Sequence, residues 1–185
     1  MPKANGAPIL IPQNNLDQHV RDFPDVFEPY STQLLFAVRA LAQRINDRAT
    51  EWLAPLGLTA TQFSYLAALY AKRTTGLTLN EISAHVHTAN ATVTTMINAL
   101  ERESLVKRTP HPSDGRSSVI HLTARGRKLS ERAFRLHHAQ IERTLSDLPV
   151  TERRAILAGL VRVGDAFAAA TPGKELSGQT IKNSK

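Results

Sequence analysis

The chain has 185 residues, enough for one domain with appended elements, and its 42% hydrophobic and 21% charged residues are ordinary for a folded chain. It holds no cysteine, which excludes disulfides, thiolate nucleophiles, cysteine-ligated zinc and thiol redox sensing. The net charge of +7 is concentrated, because residues 88–128 carry seven Lys/Arg against three Asp/Glu while residues 1–30 are slightly acidic; such a basic field favours a polyanion, most simply nucleic acid.

Residues 1–30 are rich in Pro and Asn with poor periodicity, and we expect an arm with one short helical turn near Leu16–Phe23. Its short apolar patch, Ile9–Ile11, is not a secretory h-region, and no stretch approaches the ~20 apolar residues of a membrane helix. A cytoplasmic protein without a membrane partner is expected. From Tyr30 the pattern changes. Leu34, Leu35, Val38, Leu41, Ala42, Ile45, Ala49, Trp52 and Leu53 recur at three- and four-residue steps, which predicts an amphipathic helix of about six turns. Pro55 and Gly57 end it, closing a segment 31–57 that we assign to linkage and dimerisation.

Thr59 with Gln62, and Thr78 with Glu81, have the spacing of capping boxes and open two further helices. The apolar positions of the first are Phe63, Leu66, Ala67, Leu69 and Tyr70, and the second runs to about Val86. After "HTAN" a third helix is expected over Asn90–Ser104, with Val93, Met96, Ile97 and Leu100 inward. Leu105–Thr109 and Ser117–Leu122 read as strands, the second with Ser118, Ile120 and Leu122 on one face. Between them, Pro110, Pro112 and Asp114-Gly115 supply the chemistry of a hairpin tip. Thr123 caps a long helix to about Ser146, Pro149 interrupts, and a last helix runs from Thr151 to about Ala170; 171–185 reads as a disordered tail.

The expected fold is therefore mostly α with a small β-hairpin wing: a winged helix-turn-helix over 58–122, with terminal dimerisation helices over 123–170. In a helix-turn-helix the second helix enters the DNA major groove and offers its outward side chains to base edges. Asn90, Thr94, Thr95 and Asn98 face outward here, and Asn can pair with adenine while the Thr methyl meets thymine. At the wing, Arg116 is suited to a minor groove, with Asp114 two residues away to brace it.

The stretch "LTLNEISAHVHTANATVTTMINALERESLVKRTPHPSDGRSSVIHLTARGRKL", residues 77–129, resembles the MarR (multiple antibiotic resistance regulator) transcription factors. It shares their "TVT…L" recognition-helix core, the "LV-K-R" strand and a D-x-R wing followed by "LT-x-x-G". Flanking helices extend a looser likeness to 31–170. The resemblance implies groove contacts at Asn90, Thr92, Thr94 and Thr95, and minor-groove contact at Arg116 supported by Asp114. Three departures stand out: Ala89 where the family often has a capping serine, leaving Thr88 to cap; Thr95 for a frequent arginine; and Ser104 for a frequent glycine.

The last helix carries Ile156, Leu157, Leu160, Val161, Val163, Ala166 and Phe167, an apolar surface wider than one stripe, which points to a homodimer. MarR-like proteins dimerise through their terminal helices on palindromic double-stranded DNA, commonly as repressors released by a small aromatic or anionic effector. Trp52, Phe36, Phe63 and Tyr65, with Arg39 or Arg44, are the residues we would place at such a junction. No cofactor, metal or catalytic centre is expected: His85/His87 and His137/His138 have spacings that diverge, and no Gly-rich phosphate loop or nucleophile elbow occurs. The rival expectation is a winged-helix module that binds protein and not DNA.

Overall fold

A computed structural model describes residues 10–25, 27–113 and 117–170. Along the chain run α1 (Gln13–Asp22), α2 (Pro29–Leu53), α3 (Ala60–Ala71), β1 (Leu77–Thr78), α4 (Leu79–Val86), α5 (Asn90–Arg102), β2 (Val106–Pro110), β3 (Ser118–Leu122), α6 (Ala124–Thr144) and α7 (Val150–Ala169). Two compact units divide at residue 140. No helix among the described residues is long and apolar enough to cross a membrane.

In the first unit both expected capping boxes form. Thr59 Oγ1 accepts from the Gln62 amide at 3.1 Å, and Thr78 Oγ1 from that of Glu81 at 3.3 Å. The Glu81 carboxylate in return accepts from the Thr78 backbone and hydroxyl, and these bonds hold its pKa below the usual carboxylate range. The core gathers round α3. Of the apolar positions, Phe63, Leu66 and Leu69 are buried and Ala67 and Tyr70 half-buried, while Tyr65 and Ala68 are buried too, so α3 is covered on more than one side. Ile82 of α4, Val93, Ile97 and Leu100 of α5, and Leu105, Val106, Ile120 and Leu122 of the sheet complete the cluster.

The sheet has three strands in the order β1-β3-β2, all antiparallel. β2 and β3 are the expected hairpin, with Val106 opposite Leu122 and Pro110 opposite Ser118. The strand β1 was not expected: Leu77 and Thr78 pair with Ile120 and Val119. Gly76, just before it, has φ +74°, and a Cβ there would lie 2.6 Å from both Val119 Cγ1 and His121 Cε1. This close approach covers the face of β3 opposite Ile120, so Val119 is buried where strict alternation would expose it.

The first two helices differ in what they bury. The N-terminal segment forms a ten-residue helix, α1, in place of a single turn, and Leu16 is buried. Gln33 of α2 ties the chain just before it by bonding both the amide (2.9 Å) and carbonyl (3.1 Å) of Ile11. On α2 itself only Ala49 and Leu53 of the apolar stripe are buried, while Leu34, Leu35, Leu41 and Ile45 are 41–58% exposed.

Where α5, β2 and α6 meet, the backbone is tightly constrained. Ser104 takes φ +58°, a left-handed conformation that costs a non-glycine residue about 1–2 kcal/mol, and turns the chain from helix to strand. The Leu105 carbonyl accepts from the Thr123 amide at 3.0 Å, and the Thr123 hydroxyl donates to the Ser104 carbonyl at 2.7 Å. Thr123 Oγ1 accepts from the Gly126 amide at 3.0 Å, capping α6 as expected. A Cβ on Gly126 would sit 2.0 Å from the Leu105 carbonyl oxygen.

In the second unit, Arg153 staples the turn into α7, donating to the carbonyls of Leu145 (2.6 Å) and Leu148 (2.8 Å) and pairing with Glu142 at 3.2 Å. No residue of α7 is buried by its own chain; Leu157 and Phe167 are 61% and 64% exposed.

The obstacle above Gly126 is backbone and has no rotamer to move to. Gly126→Ala is expected to destabilise the fold by about 2–3 kcal/mol, read as a lowered urea midpoint at unchanged slope.

Candidate nucleic-acid interface

α4, the left-handed His87 (φ +50°) and α5 form the helix-turn-helix. On α5 the buried positions Val93, Ile97 and Leu100 fix the inward direction. At 100° per residue the row opposite them is Ala91, Thr95, Asn98 and Arg102, all exposed. The five expected contact residues of this helix therefore do not share one row. Thr95 and Asn98 point straight out, Asn90 and half-buried Thr94 lie on one flank, and exposed Thr92 lies on the other. Arg102, not singled out from the sequence, ends the outward row and lines a shallow depression with Thr95, Asn98 and Glu101. The signal that could have found it was its helical spacing, seven residues from Thr95 and four from Asn98.

The polar groups on this helix are already partly committed. Thr94 and Thr95 donate their hydroxyl protons to the carbonyls of Asn90 (3.0 Å) and Ala91 (3.1 Å), which leaves methyl groups and oxygen lone pairs for a partner. Asn90 Nδ2 donates to Asn80 Oδ1 of α4 at 2.8 Å, joining the two helices of the motif. Asn98 Oδ1 accepts from Arg108 Nη2 of β2 at 2.5 Å, while Arg108 Nε donates to Glu101 Oε2 at 3.1 Å.

The start of α5 departs from expectation. Its N-cap is Ala89, and no side chain caps it. Thr88 does not take that role: its hydroxyl donates to the Val86 carbonyl at 3.1 Å and also contacts the Tyr65 phenol, whose pKa burial pushes up. The Thr88 carbonyl is held by the Ser83 hydroxyl. An uncapped N-terminus presents backbone N–H groups and the positive end of the helix dipole, a combination that suits a phosphate.

Beyond α5 the hairpin is closed at its far end by the His111 amide donating to the Ser117 carbonyl at 3.2 Å. Asp114 and Arg116, expected at the wing tip, lie outside the described residues. Of the residues expected at an effector junction, Trp52 and Phe63 meet through His137, at ring separations of 6.1 and 5.0 Å. Phe134 joins them, 5.1 Å from Phe63 and 5.2 Å from Tyr70. Desolvation, aided by the charge of His138, lowers the His137 pKa. Phe36 stands exposed on α2, and Tyr65 is buried in the core. Among the described residues no group of three His, Cys, Asp or Glu side chains comes together as a metal site.

A family model described as the MarR family matches residues 58–118. An HTH-type transcriptional repressor of Mycobacterium bovis is 32% identical over 131 residues, covering 71% of this chain and 91% of that protein. Among solved structures, the transcriptional repressor CouR of Rhodococcus jostii RHA1 bound to a 23-mer DNA duplex is 31% identical, with a TM-score of 0.66 over 73% of this chain and 94% of that one. The S. aureus MepR–DNA complex is 27% identical, also with a TM-score of 0.66, over 71% and 96% of the two chains.

A serine in place of Ala89 would satisfy one of the orphan amides at the start of α5. Ala89→Ser is expected to raise stability by about 1 kcal/mol, measured as an upward shift of the urea midpoint.

Proposed function

The chain belongs to the MarR family of transcriptional regulators, and on that premise we propose that it is a repressor acting as a homodimer on a palindromic operator in the cytoplasm. The observation that carries this reading is the outward row of α5, with Thr95, Asn98 and Arg102 exposed beside an uncapped helix start and a hairpin tied to the same helix. Relatives of this fold bound to DNA support it.

In the proposed complex, Asn90, Thr92, Thr94, Thr95 and Asn98 lie in or beside the major groove, and the N-terminus of α5 meets a phosphate. Arg116 reaches the adjacent minor groove with Asp114 holding it extended. The second copy covers apolar surface that one chain leaves open, namely Ile156, Leu157, Leu160 and Phe167 of α7 and the exposed stripe of α2. Two-fold symmetry then sets the half-sites about one helical turn apart. A small aromatic or anionic effector would seat beside the cluster of Trp52, Phe63, Phe134 and His137 and favour a spacing of the two α5 helices that misfits the grooves.

The deciding measurement is a gel shift on the promoter DNA adjoining the chain's own gene. A specific, salt-sensitive shift at submicromolar protein is expected, and its absence would overturn the proposal. Arg116→Ala should weaken that complex by about 1–3 kcal/mol while sedimentation still reports a dimer. Leu157→Glu combined with Leu160→Glu should give a monomer in sedimentation and lose the shift at the same protein concentration.

A further inference from the structure

The contact between Asn98 and Arg108 determines which atoms Asn98 has left to offer. Arg108 reaches from β2 to the flank of α5 and bonds two residues one turn apart, Glu101 through Nε at 3.1 Å and Asn98 through Nη2 at 2.5 Å. A guanidinium carries five N–H donors and no acceptor. The Asn98 atom that meets it must therefore be the carbonyl oxygen, and chemistry alone fixes the orientation of the amide. The Asn90–Asn80 contact lacks this property, since two amides bond equally well when both are flipped. Glu101 in turn fixes the guanidinium, whose side chain is 30% exposed, by a charge-assisted bond from the same helix.

Pairing of Asn with adenine needs the amide oxygen to accept from N6 and the amide nitrogen to donate to N7. On Asn98 one lone pair of the oxygen is engaged by Arg108 at 2.5 Å, the charge and bulk of the guanidinium beside it disfavour a second donor, and the NH₂ is the group left to donate. We propose that Arg108 is a positioning residue that makes Asn98 a donor-only reader, selecting the base whose major-groove edge offers two adjacent acceptors, guanine with N7 and O6, and discriminating against adenine. This rests on the DNA-binding reading above and goes beyond it by assigning a specificity to one position. Arg108 is, on this view, withdrawn from the phosphate backbone even though it belongs to the most basic stretch of the chain.

The test is selection of bound fragments from a pool of randomised operators by the full-length protein, run for wild type, Asn98→Ala, Asn98→Asp and Arg108→Met. Wild type should favour a G·C pair, read on its guanine, at one step per half-site. Asn98→Ala should erase that preference. Asn98→Asp, which keeps a partner for Arg108 and so protects the fold, should erase it as well, because the donor is gone. Arg108→Met frees the amide oxygen and should move the preference at that step to adenine by about tenfold. Adenine already preferred by wild type, or a uniform loss of affinity in Arg108→Met with a salt slope shallower by about one ion, would overturn the proposal.

A DNA-free measurement separates this from the regulatory reading. In a double-mutant cycle of Asn98→Ala with Arg108→Met on urea stability, a non-additive result supports the contact and an additive one overturns it. A wild-type chain that selects no sequence at all overturns the regulatory reading and the base assignment together, whatever the cycle shows.

Discussion

The carbonyl of Leu105 is the point on which the helix-turn-helix and its hairpin depend. It accepts from the Thr123 amide, and the Cα of Gly126 lies so close above it that no side chain fits between. Three segments far apart in function are joined there: the end of α5, the first residue before the wing, and the start of α6. Because backbone meets backbone, no side-chain adjustment can take up an error of placement. The wing therefore leaves the recognition helix at a set angle, and Arg108 arrives within reach of Asn98 and Glu101. The same contact gives a physical meaning to the "LT-x-x-G" pattern, in which threonine caps α6 and glycine admits the carbonyl.

What could be read in the sequence was what is decided locally. Thr59/Gln62 and Thr78/Glu81 bond within three residues of themselves, so their spacing announced two helix starts that the structure contains. The hairpin strands were legible for the same reason. β1 was not, because two residues have no periodicity of their own and become a strand only by pairing with Val119 and Ile120 some forty residues away. Along the α2 stripe the sequence shows which positions are apolar but not which of them their own chain covers, since burial depends on what packs against it. At the interface, residue types suggested Asn and Thr, yet their commitments were hidden. Thr88 looked free to cap α5 but is taken up by Val86 and Tyr65, and Asn98 looked like an adenine reader until Arg108, ten residues on, was placed beside it.

Charge behaves similarly. The surplus of cations over residues 88–128 is correct as a count, but Arg108 is paired with Glu101 and Arg102 ends the outward row of α5. One cation of the cluster thus sets geometry and another is left to meet a partner. Net charge says that a field exists; the pairing says which groups make it.

The missing cap on α5 has a thermodynamic side. A helix whose first turn lacks a side-chain acceptor leaves backbone N–H groups for an anion, and in the proposed complex the ordering of that turn would be linked to binding. Ala89 keeps a vacancy that a serine would close permanently and internally. Stability left unspent at that turn is available as a difference between the free and the occupied protein, and only such differences can be transmitted to a second site.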